Sequence, residues 1–355
     1  MHCFKSTIGA QTALWMLAGL ASSPACCAEA AGSIIVKFSH VVAPDTPKGK
    51  GVEYFRKLVE ERSRGRVKVE VYPNSQLYKD KEELEALQLG SVQMLAPSVS
   101  KFGPMGLKAF EVFDLPYLFG NYDAVHEVTH GPVGRSMLER LASYGMVGLA
   151  FWDNGFKEFT ANRPLRRPED FRGLKMRVKS SKVLEAQMRA LGAIPQVLAF
   201  SDVYQALQTG VVDGAENTPV NIYTQKFHEV QKVLSMSHHG YDAYVIVVNR
   251  KFWDSLPPDV RALLEQAMID ATRYVDGISA QAEVDAIDAI RRSGRIQVVN
   301  LTAEERLSLK EAMQPVYRQM EGRIGADVVA SVRAAAAGSG RDRTGAMPAL
   351  PAAAR

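Results

Sequence analysis

Cysteine is scarce in this chain of 355 residues, and its location restricts the chemistry that the protein can use. The three cysteines are Cys3, Cys26 and Cys27, and all lie within the first 28 residues. Because those residues have the character of a cleaved leader, we expect a mature chain without thiols. Such a chain has no disulfide, no thiolate nucleophile and no cysteine metal site, and its core alone must stabilise it.

The amino terminus has the three parts of a secretory signal peptide. Lys5 supplies a positive region, residues 8–20 are apolar, and residues 22–28 are small and neutral. The apolar stretch is too short, and wrongly flanked, for a stable membrane span. We predict cleavage near Ala28 and secretion to the periplasm. An alternative is a lipoprotein anchored at Cys26, although the residues before it match a lipobox poorly.

A strong excess of one charge sign is also lacking. The chain has 43 basic and 39 acidic residues, a formal net charge of +4, which becomes +3 when Lys5 leaves with the leader. This balance argues against a nucleic-acid-binding protein, which needs a clustered basic face. The length predicts roughly two domains. Residues 334–355, rich in Ala, Gly and Pro, are predicted to form a disordered tail.

The segment at 173–221 predicts an α/β fold. Apolar and charged residues alternate at 174–179, as in a strand with one buried face. A helix is predicted at 181–191, a second apolar run follows at 195–200, and Ser201 is predicted to cap another helix. Alternating strands and helices are typical of a lobe with parallel strands, and ligands of such lobes lie at the carboxyl ends of the strands.

The other strands and helices are predicted from the spacing of their apolar residues, two residues in strands and three to four in helices. We expect further strands at 34–39, 67–72, 92–96, 147–152, 156–160, 243–249 and 295–300. We expect further helices at 48–63, 82–89, 123–143, 258–292 and 303–332, with breaks near 131–132 and 322–325. The turn signal at 153–155 separates two of the strands and indicates a lobe boundary.

Several motifs, in order along the chain, resemble one known family. GLKMRV at 173–178, LAFSDVYQALQTGVVDGAEN at 198–217 and TQKFHEVQKVLSM at 224–236 are similar to the signature of the DctP-type periplasmic solute receptors of TRAP transporters. FSHVVAPDTPKGKG, VYPNSQL and DLPYLF nearer the amino terminus also resemble that family. The resemblance covers about residues 34–320.

The resemblance implies a two-lobed α/β periplasmic binding protein fold with a ligand cleft between the lobes and a long lobe-spanning helix. Lobe I is expected at 29–154 and 243–282, and lobe II at 155–242 and 283–333. The implied function is to bind a small organic acid, a C4-dicarboxylate first, by hinge closure and to deliver it to small and large membrane subunits. The resemblance implies a monomer that is not an enzyme, has no cofactor and binds no nucleic acid.

Arg177 is the leading candidate for the ligand site. A guanidinium matches a carboxylate with two parallel hydrogen bonds, whereas the alternative is a surface arginine on an edge strand. By resemblance, Arg177 clamps the ligand carboxylate, Asn217 hydrogen-bonds the ligand and Phe200 packs on it. Alternatively, Asn217 is only a turn residue and Phe200 is only a core residue. Glu216 is expected to be structural, because a bare carboxylate would repel a bound anion.

Lys157 occupies the place where the sialic-acid receptors of the family have an arginine. The sequence WDNGFK at 152–157 resembles the C4-dicarboxylate branch instead, and a lysine supplies a point charge rather than a fork. The resemblance therefore predicts that Lys157 contacts a second acid group of the ligand, and it disfavours sialic acid. Without the family, Lys157 is an ordinary solvated lysine.

Four further residues are weaker candidates for ligand contacts. His40, Lys48 and Ser98 fall at strand ends or helix starts that face the cleft by resemblance, and Tyr241 lies beside the second crossover between lobes. Each is equally explained as a structural residue. No metal site is predicted at His238–His239, because neighbouring residues on a strand point to opposite faces.

Three alternatives remain open at this point. The first is an extracytoplasmic enzyme that uses Glu216 or His40 as a base. The second is a receptor that presents its ligand to a sensor rather than to a transporter. The third concerns the ligand, which could be a 2-oxo acid, a hydroxy acid or a sugar acid.

Overall fold

Residues 33–338 are described by the structure, a computed structural model, and they form nine strands and twelve α-helices. The strands are β1 Ile34–Ser39, β2 Val67–Tyr72, β3 Met94–Leu95, β4 Met146–Ala161, β5 Lys175–Val178, β6 Ile194–Val197, β7 Gly214–Asn217, β8 Val233–Asn249 and β9 Gln297–Asn300. The helices are α1 Pro47–Arg62, α2 Glu83–Gln88, α3 Tyr122–Thr129, α4 Pro132–Glu139, α5 Lys182–Ala190, α6 Val203–Gln208, α7 Pro219–Thr224, α8 Phe227–Val230, α9 Arg250–Ser255, α10 Pro258–Ser293, α11 Ala303–Ile324 and α12 Ala326–Gly338.

Two long antiparallel strands, β4 and β8, join the two halves of one mixed sheet. The strand order is β2-β1-β3-β8-β4-β7-β5-β6, with β9 also pairing with β8. The parallel strands β1 to β3 attach near the carboxyl end of β8, whereas β7, β5, β6 and β9 attach at the opposite ends of β4 and β8. Because the parallel sets lie at opposite ends of the shared strands, the fold is a two-lobed α/β fold.

The antiparallel pairing of β4 and β8 is irregular between the two ends. Its register shifts between Asp153 and Gly155 and again between Lys157 and Phe159. Bulges bend a strand and increase its local twist. They coincide with the lobe boundary predicted at residue 154, and the exact boundaries stay a prediction.

Apolar residues on the two faces of β8 belong to different cores. Ala243, Val245 and Val247 pack into one buried cluster, which also contains the phenylalanines of residues 102–119. Tyr244, Ile246 and Val248 pack into a second cluster with α1 and α10. Burial on both faces explains why residues 243–248 of this strand form a continuous apolar run in sequence rather than an alternating one.

The long helix α10 confirms the prediction at 258–292. It has 36 residues, begins with a proline in its first turn and ends at Gly294, whose φ of 63° is left-handed. Val260, Leu264 and Ala271 belong to the stripe that it buries. None of the described helices is long and apolar enough to cross a membrane.

Two predictions about strands are wrong. The turn signal at 153–155 does not end a strand, because β4 runs through it from Met146 to Ala161 with bulges that absorb the irregular residues. β8 begins at Val233, ten residues before the predicted start. Ser235, Ser237 and His239 interrupt its apolar pattern, yet all three are buried between strands.

Two predictions about helices are also wrong. Ser201 does not cap a helix, because a 3₁₀ turn at Phe200–Asp202 precedes α6. Residues 334–338 continue α12 rather than belonging to a disordered tail. Alanine favours helix, and the buried Val328 and Val332 fix this helix to the core. The rest of the predicted tail and the predicted leader lie outside the described residues.

Candidate ligand-binding site

A small cavity lies where strand ends from both halves of the sheet meet. Its lining is mostly polar and charged, which suits a small polar ligand held by several side chains. The lining residues are Val41, Val42, Asp80, Glu83, Ser98, Lys101, Asn154, Arg177, Lys179, Phe200, Asn217, Asn221, Asp242 and Tyr244.

Arg177 is fully buried in the lining of this cavity. Its strand β5 lies between β6 and β7, so the alternative of a surface arginine on an edge strand is wrong. Nε and Nη2 donate hydrogen bonds to the Leu198 carbonyl oxygen at 3.2 and 2.9 Å, whereas Nη1 has no partner among the described residues. The guanidinium therefore keeps its outer N–H groups, on Nη1 and Nη2, for a ligand.

Lys179 lies two residues after Arg177 and enters the same cavity. Its Nζ is 2.5 Å from Oδ2 of Asp242. The same oxygen accepts a hydrogen bond from Asn154 Nδ2 at 2.6 Å, and Oδ1 accepts one from Ser98 Oγ at 2.7 Å. Burial opposes the ionisation of Asp242, but Lys179 and then Lys157 outweigh it and lower the pKa. The charge of Lys179 is thus already balanced by a protein carboxylate.

A second lysine in the lining, Lys101, is paired in the same way. Its ammonium contacts Asp80, and both side chains are at most 5% exposed. Asp80 also accepts a hydrogen bond from the Phe200 backbone N–H at 3.0 Å. Burial raises the pKa of Asp80, but Lys101 and Arg177 lower it further than burial raises it. Of the three lining cations, Arg177 alone makes no ion pair within residues 33–338.

Asparagine side chains form the neutral part of the lining. Oδ1 of Asn217 accepts from the Thr218 N–H at 2.9 Å and from Asn221 Nδ2 at 3.0 Å. Asn221 also donates to Asn154 Oδ1 at 3.2 Å. Because the oxygen of Asn217 is already used, its amide nitrogen is the group left to donate to a ligand.

The structure brings four of the eight predicted site residues together around the cavity. These residues are Arg177, Asn217, Phe200 and Ser98. The Arg177 guanidinium carbon lies 6.0 Å from the centre of the Phe200 ring. Lys48 lies beside the cavity, with Nζ 3.5 Å from the centre of the Tyr244 ring and 2.9 Å from the Ala96 carbonyl oxygen that accepts its hydrogen bond.

Three other predicted residues, like Lys48, do not line the cavity. His40 is buried without a hydrogen-bond partner on either ring nitrogen within the described chain, and burial lowers its pKa to about 3. Lys157 is fully buried, with Nζ 2.9 Å from Glu216 and 4.0 Å from Asp114. Tyr241 donates a hydrogen bond to Asp153 and packs among aromatic rings on the opposite face of β8.

Glu216 has the structural surroundings that the sequence predicts. Burial opposes its ionisation, but Lys157 and then the nearby His239, whose Nε2 is 3.8 Å from Oε2 of Glu216, lower its pKa. The pair of Lys157 and Glu216 therefore satisfies two buried charges that would otherwise be costly.

Period-2 alternation could have found the lining residues that the sequence prediction missed. Asp242 and Tyr244 face the cavity, whereas Tyr241, the predicted residue, lies one position out of register. Lys179 follows Arg177 by two residues and shares its side of the strand. Asp80, Glu83 and Lys101 come from irregular segments and a helix start, where no periodic pattern indicates their direction.

Comparison with known proteins identifies the family. The model of bacterial extracellular solute-binding proteins, family 7 (DctP), matches residues 38–323. The C4-dicarboxylate-binding periplasmic protein DctP of Rhodobacter capsulatus is 60% identical over 304 residues, which are 86% of this chain and 91% of that protein. The C4-dicarboxylate-binding protein DctB of Bacillus subtilis is 40% identical over 83% of this chain and 85% of that protein.

Solved structures show the same fold. A TRAP periplasmic solute-binding protein from Shewanella oneidensis with bound succinate is 43% identical, with a TM-score of 0.84 over 86% of this chain and all of that one. A homologue from Pseudomonas aeruginosa PAO1 with bound L-malate is 41% identical, with a TM-score of 0.78 over 81% of this chain and 99% of that one. This chain therefore belongs to the DctP family of bacterial extracellular solute-binding proteins, which are receptors of TRAP transporters.

Proposed function

We propose that this protein is the periplasmic receptor of a TRAP transporter and binds a C4-dicarboxylate such as succinate, L-malate or fumarate. The observation that carries the proposal is the buried guanidinium of Arg177, which lines the cavity without an ion pair within the described chain. Asp80 is the protein carboxylate with the largest effect on this guanidinium, but it makes no direct ion pair with it, so a ligand carboxylate that contacts the guanidinium directly is strongly favoured in this buried setting. Relatives named for C4-dicarboxylates support this choice of ligand.

One carboxylate of the ligand is proposed to bind the outer N–H groups of Arg177. The amide nitrogen of Asn217 donates to the same ligand, and the ring of Phe200 packs against its carbon chain. The second carboxylate lies near Lys179 and Lys101, whose own acid partners hold them in place. Lys157 then acts through Glu216, beneath the site, and His40, Lys48 and Tyr241 support the cavity walls.

Hinge closure is the proposed mechanism of capture. The bulges in β4 and β8 lie between the two halves of the sheet, and residues from both halves line the cavity. A ligand that contacts both halves only in the closed form shifts the population towards that form. The closed receptor then delivers its ligand to a small and a large membrane subunit, which are partners implied by the family.

Calorimetry on the mature chain tests the ligand class. Succinate, L-malate and fumarate should bind one site, whereas acetate and the sugar acid galactonate should bind at least about tenfold more weakly, since each lacks a matching second carboxylate. Galactonate is the relevant competitor, because a sugar-acid receptor of Advenella mimigardefordensis has the same fold at 31% identity. Preferential binding of galactonate would replace the C4-dicarboxylate with a sugar acid. Turnover of any of these acids, followed by mass, would favour an enzyme.

A further inference from the structure

We propose that His126, His130, Asp153 and Asp276 form a binding site for Zn²⁺ or a similar divalent transition-metal ion. The four residues come from α3 and the residue that caps it, from β4 and from the long helix α10. None of them lines the organic-acid cavity.

The two histidines have the spacing of a metal-binding helix. Residues 126–130 read HEVTH, which places His126 and His130 one turn apart on the same face. Their rings stack with centres 4.9 Å apart and planes at 15°. The sequence prediction of no metal site rejected His238 and His239 and took the HExxH motif to be absent, which is wrong because residues 126–130 have that pattern.

Two carboxylates lie opposite the histidines. Nε2 of His126 is 2.8 Å from Oδ2 of Asp153, and Nε2 of His130 is 3.5 Å from Oδ2 of Asp276. One ligand atom each from His126, Asp153 and Asp276 lie within 4.8 Å of one another. Ligand atoms of a tetrahedral zinc ion are about 3.3 Å apart, because each bond is about 2.0–2.1 Å long. Small side-chain movements therefore suffice to surround one ion.

One carboxylate oxygen of this group is left without a hydrogen bond within the described chain, so the hydrogen-bond network of the four residues is incomplete without an ion. Oδ1 of Asp276 is buried and has no hydrogen-bond partner among residues 33–338. Oδ1 of Asp153 accepts a hydrogen bond from the Tyr241 hydroxyl, which orients this carboxylate and leaves Oδ2 towards the histidines. Two carboxylates with two neutral imidazoles balance a divalent cation and match the ligand types that zinc uses.

The surroundings allow an ion to enter from one side. The side chains of His126 and His130 are 28% and 41% exposed, whereas that of Asp153 is 4% exposed. An ion entering past the histidines would thus reach a buried carboxylate at the base of the site. It would connect α3 and α10 to β4 next to Asn154, so its binding should stabilise the fold.

Zinc titration of chelator-treated mature protein tests the proposal, with calorimetry and thermal unfolding as readouts. The wild type should bind one Zn²⁺ ion and unfold at a higher temperature with it. Bound Co²⁺ should show the visible absorption of a four- or five-coordinate ion. His130→Gln and Asp276→Asn, both partly exposed, should each weaken Zn²⁺ binding at least about tenfold and reduce the Co²⁺ signal.

His238→Gln is the matched control. His238 is also 41% exposed, and it belongs to a second histidine–acid group, with Glu158 and Glu283, whose ligand atoms also lie within 4.8 Å of one another, so this variant shows which of the two groups holds the ion. Zinc binding should survive this change. No binding of Zn²⁺ at 100 µM to the wild type, undiminished binding by His130→Gln and Asp276→Asn, or loss of binding by His238→Gln would each overturn the proposal. None of these results depends on the organic acid, so the proposed receptor function is tested separately.

Discussion

Replacing Arg177 with lysine removes the carboxylate fork but keeps the charge. In the structure, Nε and Nη2 donate to the Leu198 carbonyl oxygen. Both N–H groups of Nη1 and the second N–H group of Nη2 remain for a ligand. A lysine cannot satisfy the carbonyl and a carboxylate in the same geometry. Truncating one partner of a buried charge pair costs about 2–5 kcal/mol, and we expect Arg177→Lys at the lower end, a loss of roughly 30-fold in succinate affinity.

Arg177→Ala should reach the upper part of this range, because it leaves the ligand carboxylate desolvated and unpaired. It also leaves the buried Leu198 carbonyl without its donor, which costs about 1–3 kcal/mol of stability. Thermal unfolding without ligand therefore accompanies the calorimetry, so that lost affinity is not confused with lost fold.

Arg189→Lys is the matched control for both variants. Arg189 lies on α5 in the same half of the sheet, pairs with Glu185 and has a 58% exposed side chain. Its replacement should leave succinate affinity unchanged. If folded Arg177→Lys binds succinate as tightly as Arg189→Lys does, the fork is refuted and Arg177 is a structural residue.

The remaining predictions concern pH, packing, closure and secretion. Burial raises the pKa of Glu83 to about 7 and lowers that of Lys48 to about 7. As pH rises through 7, Glu83 gains a negative charge and Lys48 loses its positive charge, so the succinate affinity should fall roughly tenfold between pH 6 and pH 8. Calorimetry on Glu83→Gln should show a weaker pH dependence. Gly214→Ala places a Cβ 2.3 Å from the Thr160 carbonyl oxygen and should lower the free energy of unfolding by more than about 1 kcal/mol. Gly277→Ala adds a Cβ in open space on α10 and should raise the free energy of unfolding by about 0.5–1 kcal/mol. Equal effects of the two changes in urea unfolding would contradict this packing. Succinate should reduce the radius of gyration in solution scattering, and an unchanged profile at saturation would exclude closure. Periplasmic protein should have a mass that corresponds to an amino terminus near Glu29, and an intact Met1 would contradict cleavage.

The regular elements of the fold were predictable from local periodicity. The stripe of α10 and the helix that begins after Ser181 could be predicted because each depends on residues close in sequence. The amino-terminal half of β8 was not predictable, since Ser235, Ser237 and His239 are polar residues that the neighbouring strands bury. This segment forms a strand because it pairs with distant strands, although its polar composition does not favour a strand.

The site residues, too, could be predicted only where the pattern that indicates them is local in sequence. Arg177 and Asn217 lie in sequence motifs at the ends of parallel strands, so local pattern and resemblance together indicated them. Lys157 could not be placed from sequence, because its partners Glu216 and Asp114 come from distant segments. The choice of Tyr241 over Asp242 failed by one residue, which on a strand reverses the face.

A crystal structure of the mature protein with succinate tests the central claim most directly. The account predicts one succinate molecule in the cavity, with a carboxylate bonded to Nη1 and Nη2 of Arg177 at about 2.7–2.9 Å and the amide nitrogen of Asn217 within hydrogen-bond distance. Succinate bound elsewhere, or bound in the cavity while Nη1 of Arg177 stays without a partner, would contradict it.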